Sequence, residues 1–497
     1  VGDIVGEAGR ACRMENRKRA RRPISEIDFD GLPSPHFDPL LKRNKKMYHN
    51  LLKDLSSRGL LLATLAPSEQ AGLFFAKQAD SDKMRMIVDA RPADAWFGAP
   101  PSAQLLSCEG FGRVEIQLPG GIAVESKEVE ALLVDFELLL GMADVEDCCY
   151  RMRTPLSRAK FFALPAAPAH ALGLEGQELE GAKLGADAPV YPCIGALPTG
   201  FSWPLFLAQG ANEERAPRSD PWPGGDAALS ERALMGDRGP PFVMEVGPGQ
   251  RGRACVCVDN AGALTPSESL AAGAFENWAG LFEAAGLELH VGTVSSGACE
   301  ALGAKIDLEL MRSGVSDGRF WKVHLRLGGL LARGRATGLA LEMVLGHCTF
   351  CGLAFRGPLS CGRASYRFAP RRYLQAARLR AEVVKEIEMF RGLLVLKVQD
   401  WRRPWNCCAL KTDASESGRG MAQSFWPRKV VEQVGRLPER VRFRSAQGRP
   451  ARGSVLAVAS PALDSSGVLR VFDEEKGPDP LASDLLFSWE LDPEFAE

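Results

Sequence analysis

The stretch Arg253 to Leu264, RACVCVDNAGAL, decides how the chain is read. Apolar residues alternate around Val256 and Val258, and a turn at Asp259-Asn260-Ala261-Gly262 leads into a second short apolar run. The pattern predicts a tight β-hairpin with a carboxylate held at its tip. An aspartate in a turn often does no more than hydrogen-bond its own backbone. What lies on either side must therefore decide whether Asp259 carries chemistry.

Upstream, Ala196 to Gln209 reads ALPTGFSWPLFLAQ. Leu197-Pro198-Thr199-Gly200 makes a turn, Ser202 can cap a helix, Pro204 sits in its first turn, and Leu205, Phe206 and Gln209 share a face. Further back, Glu130 to Tyr150 runs from an apolar helix-like segment (Leu132, Leu133, Phe136, Leu139, Leu140) into Asp144, Glu146 and Asp147, with Gly141 separating the two. Aspartates at a strand end suit a divalent cation and its phosphate ligand. The plainer reading makes Asp147 a cap and Asp144 a surface residue. Phe74 to Asp89, FFAKQADSDKMRMIVD, is two apolar runs around Asp80-Ser81-Asp82 and predicts a ribbon that continues into Ala90-Arg91-Pro92. Lys77, Lys83, Arg85 and Arg91 could grip a triphosphate there, or simply solubilise an exposed hairpin.

Downstream, Thr265-Pro266-Ser267-Glu268 reads as a capping box opening a helix with Leu270, Ala274, Trp278, Leu281 and Phe282 that stops at Gly286. A strand pair, Leu287 to Val291 and Ala301 to Leu308, is expected next. Helices follow over Trp321 to Phe355, with Leu325, Leu330, Leu331, Leu341, Val344 and Leu345 as core, and over Arg372 to Phe390. An apolar strand, Leu393 to Val398, and a strand from Cys407 to Thr412 ending in Asp413 close the ordered pattern. His347, Cys348, Cys351 and Cys361 have only partial zinc spacing, and the first three fall on one helix, which favours a structural role.

The chain has 497 residues and a net charge of −1, enough for two or more domains and with no global field to advertise nucleic acid. A basic footprint must be local. Arg13, Arg17, Lys18, Arg19, Arg21 and Arg22 form one such cluster, either an import signal or phosphate-contacting arm or a solvated tail. Thirteen scattered cysteines fit a reducing, intracellular setting, nucleus or cytoplasm. No run of eighteen apolar residues predicts a membrane span. The start at Val1 and the linker-like end, Asp492 to Glu497, suggest a piece of a longer protein.

In order and spacing these segments resemble the reverse transcriptases of retroelements, especially those followed by an RNase H domain. The ribbon FFAKQADSDKMRMIVDAR is similar to the fingers segment; ADVEDCCY, Ala143 to Tyr150, to the first catalytic motif; ALPTGFSWPLFLAQ to the template and nucleotide motif; CVDN to the aromatic-x-Asp-Asp hairpin. Gly286 to Leu289 with Leu302 to Asp307 resembles the closing palm motif, and LKTDASESGRG the start of RNase H, with Asp413 as its first metal ligand.

The resemblance implies an α+β right-hand polymerase fold: a basic tail and entry helix over 1–60, fingers and palm with an antiparallel sheet over 61–308, thumb and connection helices over 309–392, a partial RNase H-like α/β segment over 393–445, and a disordered tail over 446–497. It implies an RNA-directed DNA polymerase of a retrotransposon, acting on deoxynucleoside triphosphates and a primed RNA or DNA template with Mg²⁺ or Mn²⁺. Asp144 and Asp259 would hold metal, with Asn260 beside them in the catalytic hairpin. Lys83 and Arg85, the main chain of Val145, Glu146, Asp147, Cys148 and Cys149, and Thr199, Gly200 and Phe201 would meet the nucleotide and template.

Four departures bear on activity. Asn260 stands where the family has a second aspartate, and Cys257 where the hairpin has a ring. Cys149 occupies the usual aromatic gate against ribonucleotides, with Tyr150 next to it. Thr293 replaces a lysine that can protonate pyrophosphate, leaving His290 as the nearest acid. After Asp413 no spaced glutamate and aspartate set follows, so no RNase H activity is expected. The alternative is a catalytically dead relic that retains nucleic-acid binding.

Overall fold

The computed structural model describes residues 27, 31–32, 34–77, 84–103, 105–117, 136–215, 234–237, 241–246, 252–414, 419–436 and 490–491. The basic cluster at 13–22, the turn at 80–83 including Lys83, Leu132 and Leu133 lie outside them. So does the 446–497 tail apart from two residues. Two compact units emerge. The first is built from Val1–Leu106, Glu137–Leu234 and Arg251–Gly297, the second from Ser107–Phe136, Met235–Gln250 and Ala298–Glu497. Each is thus assembled from three separate stretches of chain.

Unit 1 opens with two helices, α1 (Pro39–Arg43) and α2 (Lys45–Ser57), where the sequence predicts one. Asn44 breaks the run, and its side chain caps α2 by accepting from the Met47 amide at 3.0 Å. Strand β1 (Leu61–Thr64) follows, then the ribbon of β2 (Gly72–Lys77) and β3 (Met84–Asp89), paired antiparallel with Phe74 opposite Ile87. Ala90 to Pro92 do not prolong the ribbon: Arg91 begins helix α3 (Arg91–Trp96), with proline in its first turn.

The central sheet contains β4 (Leu139–Val145), β6 (Arg253–Cys257), β7 (Asn260–Thr265) and β8 (Leu289–Val291) in the order β6-β7-β4-β8. Between them in sequence come α4 (Cys148–Arg151), β5 (Pro189–Ile194), which pairs with β1, and α5 (Pro204–Arg215). Leu139 and Leu140 therefore belong to a strand, not a helix. Gly141 does not separate elements either; it lies inside β4 opposite Ala263. A Cβ there would stand 2.3 Å from the Phe275 ring, so glycine is what lets the covering helix press onto the strand.

That helix, α6 (Glu268–Ala284), is capped by Ser267, whose hydroxyl accepts from the Leu270 amide at 3.3 Å. Thr265 instead ends β7. Ala274, Phe275, Trp278 and Phe282 are buried together with Ala143, Val145, Ala254, Val256, Ala261 and Ala263 of the sheet. Small strand residues lie under large helix rings in this core. Of the helical residues expected in the core, Leu281 is exposed.

In unit 2, β9 (Ala298–Ala301), β10 (Ala304–Asp307) and β11 (Arg312–Val315) form a meander that β12 (Val398–Asp400) joins. The segment around Ala304 thus pairs with its own neighbours, not with Leu287 to Val291. Helices α7 (Asp317–Arg333), α8 (Gly338–Ala354), α9 (Arg363–Arg371) and α10 (Ala381–Leu393) follow. Leu325, expected in the core, is 67% exposed, whereas Leu330 and Leu341 are buried. The helix expected from Arg372 starts only at Ala381, and Leu394–Leu396 is a 3₁₀ turn, not strand. Cys348 and Cys351 are buried on α8, where burial pushes their thiols up to about 12 and about 11. Strands β13 (Cys408–Ala414) and β14 (Arg419–Phe425) form a hairpin that β15 (Glu490–Leu491) extends, so the last segment, expected to be disordered throughout, contributes a strand. Among the described residues no helix is long and apolar enough to cross a membrane.

Candidate active site

The opening hairpin exists, with its turn two residues earlier than expected. Strands β6 and β7 close at Cys257 opposite Asn260, leaving Val258 and Asp259 as the two loop residues. Asn260 is then a strand residue, and Asp259 shares the tip with Val258. Val258 has φ 59°, and positive φ at the first loop position is the demand of a type II′ turn, which normally takes glycine there. A β-branched side chain in that region carries strain of about 1–3 kcal/mol.

Strand β4 aligns with both neighbours at Asp144: Asn260 is its partner across from β7 and His290 its partner across from β8. Partners of this kind have Cα atoms roughly 4.5–5.5 Å apart with side chains on one face. The tip is tied to the same strand, since the Val145 amide donates to the Asp259 carbonyl at 2.7 Å. Asp144 and Asp259, far apart in sequence, are therefore neighbours at one end of the sheet. Partial desolvation, then the charge of Asp259, pushes the Asp144 carboxyl above its usual range, with His290 opposing. Asn260 donates its side-chain amide to the Asp259 carboxylate at 2.9 Å.

The expected phosphate contacts divide. Val145 and Glu146 are expected to offer their amides, yet both are spent on the sheet, Val145 on Asp259 and Glu146 on the Glu288 carbonyl at 3.0 Å. Those of Asp147, Cys148 and Cys149 lie at the turn into α4. Asp147 takes a left-handed conformation at φ 50°, and its carbonyl, not its side chain, accepts from Tyr150 and Arg151. The Cys148 side chain is buried, and its thiol is pushed up to about 12 by desolvation. Arg85 is exposed on β3 and adds a favourable field at Cys149. Arg91, by contrast, is paired with Asp89 at 2.6 Å, and that partner holds the Asp89 carboxyl down to about 2. It is not a free phosphate donor.

The Tyr150 hydroxyl donates to the Met86 carbonyl at 2.6 Å, and the smaller Cys149 beside it is half-buried. Thr199 is exposed. Gly200 has no room for a side chain, because a Cβ would stand 1.8 Å from the Val88 carbonyl oxygen. Phe201, expected to touch nucleotide, packs edge-on against Phe97 and Phe162, with ring centroids 5.2 and 5.0 Å away. Its role is to seat the turn. Thr293 is exposed just beyond β8, and Asp413 pairs in the backbone with Gly420 on β14.

Sequence reasoning missed two arrangements. Glu146, Glu288 and His290 bring ligand atoms within 4.8 Å of one another on the exposed surface beside Asp144, but Arg151 already bonds Glu146 at 3.0 Å and Glu288 at 2.9 Å. Arg151 offsets part of that cluster's negative charge. Gln209 and Asn212 of α5 are buried against the hairpin, where only the face shared by Gln209 and the apolar residues hinted at contact.

No protein-family model and no curated protein matches the sequence. Among solved structures the chain is similar to a foamy viral protease-reverse transcriptase dRH in complex with double-stranded DNA, with 12% identity and a TM-score of 0.46 over 86% of this chain and 63% of that one. It is also similar to a foamy viral protease-reverse transcriptase in complex with an RNA/DNA hybrid, with 13% identity and a TM-score of 0.45 over 82% of this chain and 45% of the other. The chain spans less than two thirds of either.

Proposed function

We propose that unit 1 houses the catalytic centre of an RNA-directed DNA polymerase of retroelement type, which joins a primer 3′-hydroxyl to the α-phosphate of a deoxynucleoside triphosphate. One observation carries the reading: Asp144 at a strand end and Asp259 at a hairpin tip meet on adjoining strands, with an amide, Asn260, in the third corner. Two oxygen-donor side chains whose charges oppose each other fit a hard divalent cation such as Mg²⁺ or Mn²⁺, which would relieve that repulsion. Asp144 and Asp259 would hold it. Such an ion, when bound, supplies charge neutralisation and a lowered pKa for the attacking hydroxyl.

The chain's own groups do the rest. Arg85, with Lys83 beside it in sequence, and the amides of Asp147 to Cys149 anchor the triphosphate. Thr199 and Gly200, seated by Phe201, line the nucleotide and template. Cys149 leaves room at the sugar, so discrimination against ribonucleotides is weak. In unit 2, Arg363, Arg367 and Arg371 lie exposed at i, i+4 and i+8 along α9 and supply salt-sensitive phosphate contacts.

Asn260 is the observation that favours the second reading, a non-catalytic relic that binds primed nucleic acid. The test is single-nucleotide incorporation on RNA and DNA templates with Mg²⁺ or Mn²⁺. Incorporation that Asp144→Ala and Asp259→Ala abolish supports the polymerase. Binding of primer–template with no incorporation in either ion leaves the relic.

A further inference from the structure

Beneath the hairpin tip, two fully buried amide side chains hydrogen-bond three backbone groups of Val256 and Val258, and Gln209 also donates to the Glu213 carboxylate at 2.8 Å. Gln209 accepts from the Val258 amide at 2.6 Å and donates to the Val256 carbonyl at 3.0 Å. Asn212, one turn along α5, donates to the Val258 carbonyl at 2.5 Å. Both residues are 1% exposed. Buried amides are retained where they satisfy backbone groups that have no other partner. Here the backbone they satisfy is the one that carries φ 59° at a valine. Left unsupported, Val258 would relax toward negative φ and carry Asp259, the next residue, with it.

We propose that Gln209 and Asn212 are positioning residues for Asp259: they brace Val258 in its left-handed conformation and so fix the Asp259 carboxylate beside Asp144. The proposal rests on the polymerase reading for the role of Asp259, but the brace itself is a property of the hairpin. Asn212 is oriented by the same demand. Its carbonyl oxygen has no partner, which is tolerated because turning the amide over would leave the Val258 carbonyl without a donor. The Cys148 thiol, 3.7 Å from the Asn212 nitrogen, ties the brace to the loop that follows Asp144 as well.

The test is a double-mutant cycle on Gln209→Leu and Val258→Gly, read three ways in the full chain: amide hydrogen exchange at Val258, Mn²⁺ affinity, and single-turnover incorporation separated from nucleotide KM. Gln209→Leu should expose the Val258 amide and lower Mn²⁺ affinity and turnover about 10–100-fold, the range seen when a group supporting a metal ligand is lost, with KM nearly unchanged. Glycine prefers this turn position. Val258→Gly should therefore shrink the effect of Gln209→Leu to less than about threefold, because the turn no longer needs bracing. Should Gln209→Leu fail to fold, Asn212→Ala stands in for it in the same cycle.

The proposal is overturned if Gln209→Leu leaves exchange at Val258 unchanged, or if its losses are equal with valine and with glycine at position 258. Exchange needs neither metal nor turnover. A protein that neither binds Mn²⁺ nor extends a primer therefore defeats the polymerase reading while exchange still decides the brace.

Discussion

Asn260→Asp would place a second carboxylate beside Asp259, and the structure says what that does before any metal arrives. The Asn260 amide bonds the Asp259 carboxylate at 2.9 Å. Hydrogen bonds to a charged group are worth about 1.5–3 kcal/mol, less where water can substitute. A carboxylate in place of the amide adds repulsion. Two unit charges about 4 Å apart repel by about 1 kcal/mol in water and about 4 kcal/mol at an effective dielectric of 20. Both residues are half-exposed, so the lower end applies and the total loss should be about 2 kcal/mol.

Urea unfolding with chelator should show this deficit at pH 7, and millimolar Mg²⁺ or Mn²⁺ should reduce it by binding the folded form. The sign with pH follows from like charges. They raise a carboxyl's pKa in the folded state, so the penalty is present above that pKa and disappears as pH falls below the unfolded value of about 4. Incorporation with Mg²⁺ should rise in the variant. A variant as stable as wild type in chelator, or with a deficit that persists at pH 3 and ignores Mg²⁺, would refute the reasoning.

Two further outcomes follow from the same geometry. Asp144→Asn should be more stable than wild type at pH 7 in chelator, because the fold holds the Asp144 carboxyl above its usual range and ionising it there is unfavourable; the advantage should vanish below the ordinary carboxylate pKa, which melting curves at pH 7 and pH 3 will read. Gly200→Ala should cost about 1–3 kcal/mol by urea unfolding and raise nucleotide KM, since its Cβ would strike the Val88 backbone and displace Thr199; wild-type stability would show that the turn is not seated as described.

The sequence exposes the hairpin, the ribbon and the order of the motifs because these rest on local alternation and turn residues. It also points to Asp144 and Asp259 together, although only through resemblance. What it hides depends on packing. Leu139 and Leu140 look helical until Gly141 is seen to admit the Phe275 ring, and an apolar run covered on both faces has no helical or strand period of its own. Val258 offers no turn signal, since glycine or asparagine is expected where a valine is braced from outside. Arg91 looks like a free cation in sequence, and only the folded structure shows it paired with Asp89, two residues before it. Phe201 is expected at the nucleotide only through the resemblance of its motif, and the sequence does not show that its ring joins an aromatic cluster.

The most direct test of the central claim is an anomalous-scattering map from crystals grown with Mn²⁺. The account predicts a peak about 2.1–2.2 Å from carboxylate oxygens of both Asp144 and Asp259, lost in Asp259→Ala. Manganese found only on Glu146, Glu288 and His290, or a structure in which Asp144 and Asp259 share no ion, would contradict it.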